Sequence, residues 1–198
     1  MVPRPPAVAP ARPLPYDRAM SRLYPERPIV GVGAVIFRGE EVLLIRRGKP
    51  PRVGQWSLPG GAQQLGESVA EAVRREVREE AGIEIALGEI VAIVDALTPE
   101  RDGRIRYHYT LVDFVAEWQA GEARAGDDAA AVAWVPLGAL ASYGLWHETE
   151  RVIGHAAARR PATAEGPATV LLVGRAANVA PSEKSPGPDP CLPRPTNL

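Results

Sequence analysis

Residues 29–37 (IVGVGAVIF) and 41–47 (EVLLIRR) are rich in β-branched and aliphatic side chains and flank a short turn, Arg38-Gly39-Glu40, so they predict a hairpin. A basic, proline-containing loop, Gly48-Lys49-Pro50-Pro51-Arg52, leads to Trp56-Ser57-Leu58-Pro59-Gly60-Gly61, a short apolar strand ending in a glycine-rich turn. A helix is expected next. Ser68 with Glu71 three residues on is a capping-box pattern, and Gly82 suits a left-handed C-cap. Residues 83–94 are apolar stretches broken at Gly88; 107–118 (YHYTLVDFVAEW) predict a long strand and 131–135 (AVAWV) a short one, with a polar loop at 98–106. Residues 137–143 and 147–158 have helical composition, the second anchored by Val152 and Ile153. The pattern as a whole is strands around two or three helices, an α/β (α+β) domain.

Turned at about 100° per residue, the segment 67–83 (ESVAEAVRREVREEAGI) gathers its acids. With Glu76 at zero, Glu79 falls near −60° and Glu80 near +40°, so three carboxylates share an arc of roughly 100°. Val69, Val73 and Val77 fall between roughly +20° and +100° on the same wheel. The acidic sector thus overlaps the apolar stripe, whereas acids that need only water belong opposite it. Like charges at this spacing repel unless a cation neutralises them, and a divalent ion would do so. Arg74, Arg75 and Arg78 support the competing view of an ion-paired surface helix. The wheel alone does not separate the two.

Composition narrows the class. The 23 Lys+Arg against 24 Asp+Glu give a net charge of −1, so no overall field draws in nucleic acid or anionic membrane, and neither is expected as a partner. The single cysteine, Cys191, excludes an internal disulfide and a cysteine-based metal site and fits a reducing cytoplasm. There is no apolar run of ~20 residues and no basic-then-apolar leader. Of the 21 prolines, eight lie in residues 1–28 and six in 181–198. The expected organisation is a disordered proline-rich arm at 1–27, one folded domain at 28–160 and a mostly disordered proline-rich tail at 161–198. Within that tail, 168–173 (ATVLLV) is apolar enough for a short strand or docking segment.

The run from Gly61 to Ile83 places Glu67 after five intervening residues and, after seven more, Arg75-Glu76-Val77-Arg78-Glu79-Glu80-Ala81-Gly82-Ile83. This resembles the Nudix box at every defining position, a pattern far more specific than a short glycine motif. The preceding Leu58-Pro59-Gly60-Gly61 and a tryptophan after the later acidic loop also look like members of that family, and the resemblance covers about residues 28–153. It implies a Nudix-type α/β/α sandwich with a mixed sheet and the box helix after a glycine-rich loop.

The resemblance further implies a hydrolase that splits a phosphoanhydride with Mg2+, for which Mn2+ can substitute. Glu76, Glu79 and Glu80 are then metal ligands, with Glu67 an additional or outer ligand unless it is only a helix-start acid. Gly60 corresponds to the residue whose carbonyl often joins the metal shell. Arg75 is expected to orient a glutamate by charge-assisted bonds. A further acid ahead of a late strand is Asp128, its neighbour Asp127, or Glu122. Glu76 is the first candidate for the base that takes the water's proton, with Glu100 or Asp102 of the 98–106 loop as alternatives. Arg46, Arg47 and Lys49 are candidates for terminal phosphates; Arg106 and His108, with Arg104 and Tyr107, for the base or sugar. The substrate is a small nucleotide, first a nucleoside diphosphate linked to another moiety such as ADP-ribose or a nucleotide sugar. A nucleoside triphosphate cleaved to pyrophosphate is the alternative, and a non-catalytic nucleotide sensor or protein-binding domain is a third, which an eroded box would have favoured. The oligomeric state, including a homodimer, stays open.

Overall fold

The computed structural model describes residues 22–50, 52–126, 128–160 and 171–177. Its strands are β1 (Ile29–Arg38), β2 (Glu41–Arg47), β3 (Trp56–Ser57), β4 (Gly60–Ala62), β5 (Glu84–Pro99), β6 (Ile105–Ala120), β7 (Ala129–Pro136) and β8 (Leu171–Ala177); its α-helices are α1 (Val69–Ala81) and α2 (His147–Arg159), with a 3₁₀ helix at Leu137–Tyr143. The strands form one mixed sheet in the order β3-β2-β1-β6-β5-β8, with β4 also pairing β1 and β7 also pairing β2. β1 and β6 run parallel from Ile29 opposite Tyr109 to Phe37 opposite Glu117.

β1 is apolar on both sides because both sides are covered. Val32, Ala34 and Ile36 pack with Val73, Val77 and Ala81 of α1. Val35 and Phe37 pack with Val152, Ile153 and Ala156 of α2 on the opposite face. An α/β/α sandwich follows from that alternation.

Both ends of α1 form as the sequence predicts. The Ser68 hydroxyl accepts from the Glu71 amide while the Glu71 carboxylate accepts from the Ser68 amide, and Gly82 closes the helix at φ 68°. Other boundaries differ. The break expected at Gly88 is a bulge: β5 runs unbroken, with its register against β6 shifting between Leu87 and Ile90. A Cβ at Gly88 would lie 2.8 Å from the Val115 side chain, so glycine lets β6 come close. The polar loop shrinks to the turn between Pro99 and Ile105.

Short stretches of both ends are described. In the arm, the Tyr24 amide donates to the Arg106 carbonyl and its hydroxyl to Glu100, so residues 22–27 run against the β5–β6 turn. In the tail, where a short strand or docking segment is expected at 168–173, Leu171–Ala177 forms β8, parallel to β5. Its backbone donors and acceptors complete an edge that β5 would otherwise leave open. Residues 1–21, 161–170 and 178–198, Cys191 among them, lie outside the described residues. Among the described residues no helix is long and apolar enough to cross a membrane.

Candidate active site

The acidic sector of α1 faces the turn between β3 and β4. Glu80 is buried, and its carboxylate accepts from the Gly60 amide at 2.7 Å. Burial pushes Glu80 up to about 7; the Gly60 hydrogen bond opposes this, and Glu76 and Asp128 reinforce it. Glu76 is also raised by burial, against the pull of Arg75. Glu79, the next acid, is exposed.

Arg75 connects the set. Its guanidinium donates to both oxygens of Glu67 at 2.6 and 3.0 Å, to Glu76 at 2.8 Å, to Glu79 at 3.0 Å and to the Ala62 carbonyl at 3.2 Å. Only a planar fork of donors can hold three carboxylates and a carbonyl at once. Glu67 is held below the usual carboxylate range by Arg75 first and by the Gln64 amide second. Glu67 therefore acts as an anchor for Arg75, which orients Glu76 and Glu79.

Glu76, Glu79, Glu80, Asp128, Gly60 and Gly61 line one polar cleft of about 200 Å³, together with Arg22, Arg47, Lys49 and Arg75. Of the three candidates for the further acid, Asp128 is the one shown here; its carboxylate pairs with Lys49. Glu122 is exposed and paired to Arg124, and Asp127 lies outside the described residues. The alternative bases Glu100 and Asp102 are bound to Arg104 in the β5–β6 turn and line neither this cleft nor its neighbour. Arg46 donates to the Gly54 carbonyl, bracing the loop before β3. Arg106, whose guanidinium lies 5.8 Å from the Tyr107 ring, and His108 also lie away from the cleft.

One glycine keeps the cleft open: a Cβ on Gly61 would fall 2.3 Å from the Glu76 carboxyl carbon. Gly126 instead lets the loop before β7 pack on the end of α1, since a Cβ there would fall 1.7 Å from the Glu79 carbonyl oxygen. The space belongs to carboxylate and backbone oxygens. An all-oxygen donor set in a polar cleft of that size suits a hard divalent ion that keeps several waters. Among the described residues no three acids converge tightly enough to chelate an ion as they stand. Arg75 occupies the positions between Glu67, Glu76 and Glu79.

Against the cleft lies a second, mostly apolar cavity on the α2 side of the sheet. Trp56, Leu58, Val94, Leu111, Trp146 and Val152 form its walls. Tyr143 packs edge-on against Trp56 with ring centres 5.2 Å apart, and the Arg52 guanidinium covers Trp146 at 4.6 Å. Arg22, Arg47, Gly60 and Gly61 belong to both cavities. Arg22, Trp146 and Glu148 carry no motif in the sequence; only their fold neighbours bring them to the site.

The chain matches the NUDIX domain over residues 27–156. It belongs to the Nudix hydrolase family. Members of this family in general use divalent metal ions. An ADP-ribose pyrophosphatase of Methanocaldococcus jannaschii is 35% identical over 132 residues, covering 67% of this chain and 75% of that protein. The 8-oxo-dGDP phosphatase NUDT18 of Danio rerio is 54% identical over 54 residues, 27% of this chain and 17% of its own length. Among solved structures, the MutT NUDIX hydrolase of Burkholderia pseudomallei has a TM-score of 0.56 at 34% identity, covering 66% of this chain and 98% of that one.

Proposed function

We propose that this Nudix hydrolase cleaves the phosphoanhydride of a nucleoside diphosphate linked to a second moiety, with ADP-ribose or a similar nucleotide sugar as substrate and Mg2+ as the preferred ion. The shared wall of the two cavities carries this reading. A polar cleft of mixed charge that meets an aromatic, apolar cavity at Arg22, Arg47, Gly60 and Gly61 fits a molecule with a charged diphosphate beside a flat base. The relative from Methanocaldococcus jannaschii, named for ADP-ribose, spans most of the domain, whereas NUDT18 matches over a short stretch.

Glu76, Glu79, Glu80 and Asp128 are the side chains that would hold divalent ions, with Gly60 the backbone candidate and Glu67 acting through Arg75. When bound, such ions lower the pKa of water and stabilise charge on the phosphate oxygens. Arg22, Arg47 and Lys49 flank the cleft and neutralise the rest of the diphosphate. Glu76 is the candidate for the base, since its carboxylate lines the cleft beside Glu79 and Glu80 and is oriented by Arg75.

The test is metal-dependent hydrolysis of ADP-ribose, nucleotide sugars and nucleoside triphosphates. AMP with ribose phosphate is the expected product pair. Release of inorganic pyrophosphate from triphosphates alone would favour the nucleotide-pool alternative. Glu79→Gln should reduce turnover by about 100-fold or more, on the scale of several kcal/mol that a metal contributes; unchanged turnover on every nucleotide would exclude the hydrolytic site.

A further inference from the structure

Three acids are buried among the described residues: Glu80, Asp113 and Glu148. Glu80 is bonded to the Gly60 amide. Glu148, at the start of α2, holds Arg151 through both oxygens at 3.0 Å and His147 at 3.0 Å. Asp113 alone has no hydrogen-bond or ion-pair partner in the described structure, though it is only 7% exposed. Such a group costs on the order of 1–3 kcal/mol unless something satisfies it.

Its position says what that would be. Asp113 lies in the middle of β6, opposite Gly33 of β1 and Ala92 of β5, and lines the apolar cavity. A Cβ on Gly33 would sit 2.3 Å from Asp113 Oδ1, so the carboxyl fills the niche that the glycine leaves. The cavity therefore offers aromatic walls and, in its floor, one unsatisfied oxygen acceptor. Glu148 is also in the lining, but its oxygens are already engaged.

We propose that Asp113 is a specificity-determining residue that accepts a hydrogen bond from the exocyclic amine of the substrate's nucleobase and so selects an amino purine over its oxo counterpart. This rests on the reading above that the apolar cavity takes the nucleoside. Ionised or protonated, a carboxyl keeps an acceptor for an N–H; only the protonated form can also donate to a carbonyl. Burial pushes Asp113 up to about 7, so above that pH it is an acceptor alone, and a base with oxygen in place of the amine faces lone-pair repulsion.

Trp56 and Trp146 line the cavity and supply the readout, quenching of tryptophan fluorescence, in the full chain without metal at pH 8.5. AMP is expected to bind roughly tenfold or more tighter than IMP, the range for a hydrogen bond to a charged group. In Asp113→Asn, which adds a donor, the preference should fall to within about threefold. As a measurement needing no variant, AMP dimethylated at the exocyclic nitrogen should bind wild type as weakly as IMP. Equal binding of AMP and IMP to wild type, or an unchanged ratio in Asp113→Asn, overturns the proposal. Quenching by neither nucleotide overturns it together with the nucleoside reading. The ADP-ribose assignment fails separately, if AMP binds selectively while ADP-ribose is not hydrolysed.

Discussion

Arg75 bridges three carboxylates and a carbonyl from a side chain about one-fifth exposed. Lysine has the charge but not the planar fork, so it can satisfy one of these partners well and leaves the others facing one another. Arg75→Lys is expected to destabilise by about 1–3 kcal/mol, since partial exposure discounts the cost of a fully buried pair. Urea unfolding checks this, and a midpoint equal to wild type would contradict the anchoring role. Gly61→Ala tests geometry rather than charge. The new Cβ forces the Glu76 carboxylate aside, and with Glu76 in the role proposed above, displacement by about 1 Å costs on the order of 100-fold. The drop should appear in kcat, with KM for the nucleotide within a few-fold; a fall in KM-dependent binding alone would mean that Glu76 moved without consequence.

At the scale of elements, legibility tracked how local the physics is. α1 was readable to its caps, because Ser68, Glu71 and Gly82 act within one turn of the helix. The acidic sector was readable too, since helical geometry brings Glu76, Glu79 and Glu80 together without help from the fold. Gly88 misled for a related reason: a glycine in an apolar run signals an interruption, but whether the strand stops or bulges depends on β6, which follows much later. Arg22 and Asp113 needed the fold even more. One stands in a proline-rich leader and the other in an apolar strand, and only the sheet shows that both face a cavity. The strand β8 was legible as an apolar segment but not by its partner. It pairs with β5 from Ala92 to Leu97, a stretch that contains the cavity residues Val94 and Ala96. Ending the chain after Arg160 should therefore raise KM by several-fold while kcat, set in the cleft on the other face, changes less. Steady-state kinetics on soluble monomer would separate these, and an equal loss in both would show that β8 supports the sandwich as a whole.

For the whole molecule, the two acids pushed up to about 7, Glu80 and Asp113, set a dependence on pH. Unfolded, both ionise near their ordinary values, close to pH 4–4.5; folded, they hold their protons up to about 7. The folded state thus binds more protons between those limits. Its stability is greatest below them, falls as pH rises through about 7, and then levels off. Burial alone accounts for the shift at Asp113, whose cavity is also lined by the charged groups Glu148 of α2, Arg22, Arg47 and Arg52. In chelator, the urea midpoint should be higher at pH 5.5 than at 8.5, and Asp113→Asn should narrow that gap. An unchanged gap would mean that Asp113 ionises as readily in the folded chain as in the unfolded one.

The parallel pairing of β1 with β6 also sets an order in time. Ile29 meets Tyr109 across 80 intervening steps of chain, whereas α1 needs only its own thirteen residues and caps. Contacts that far apart close slowly, because the chain loses the entropy of the loop before the strands reward it. During refolding, helical signal from the acid-bearing segment should precede the tryptophan signal of the cavity. A newly synthesised chain would then carry its acid-bearing helix face well before the aromatic cavity beside it is assembled.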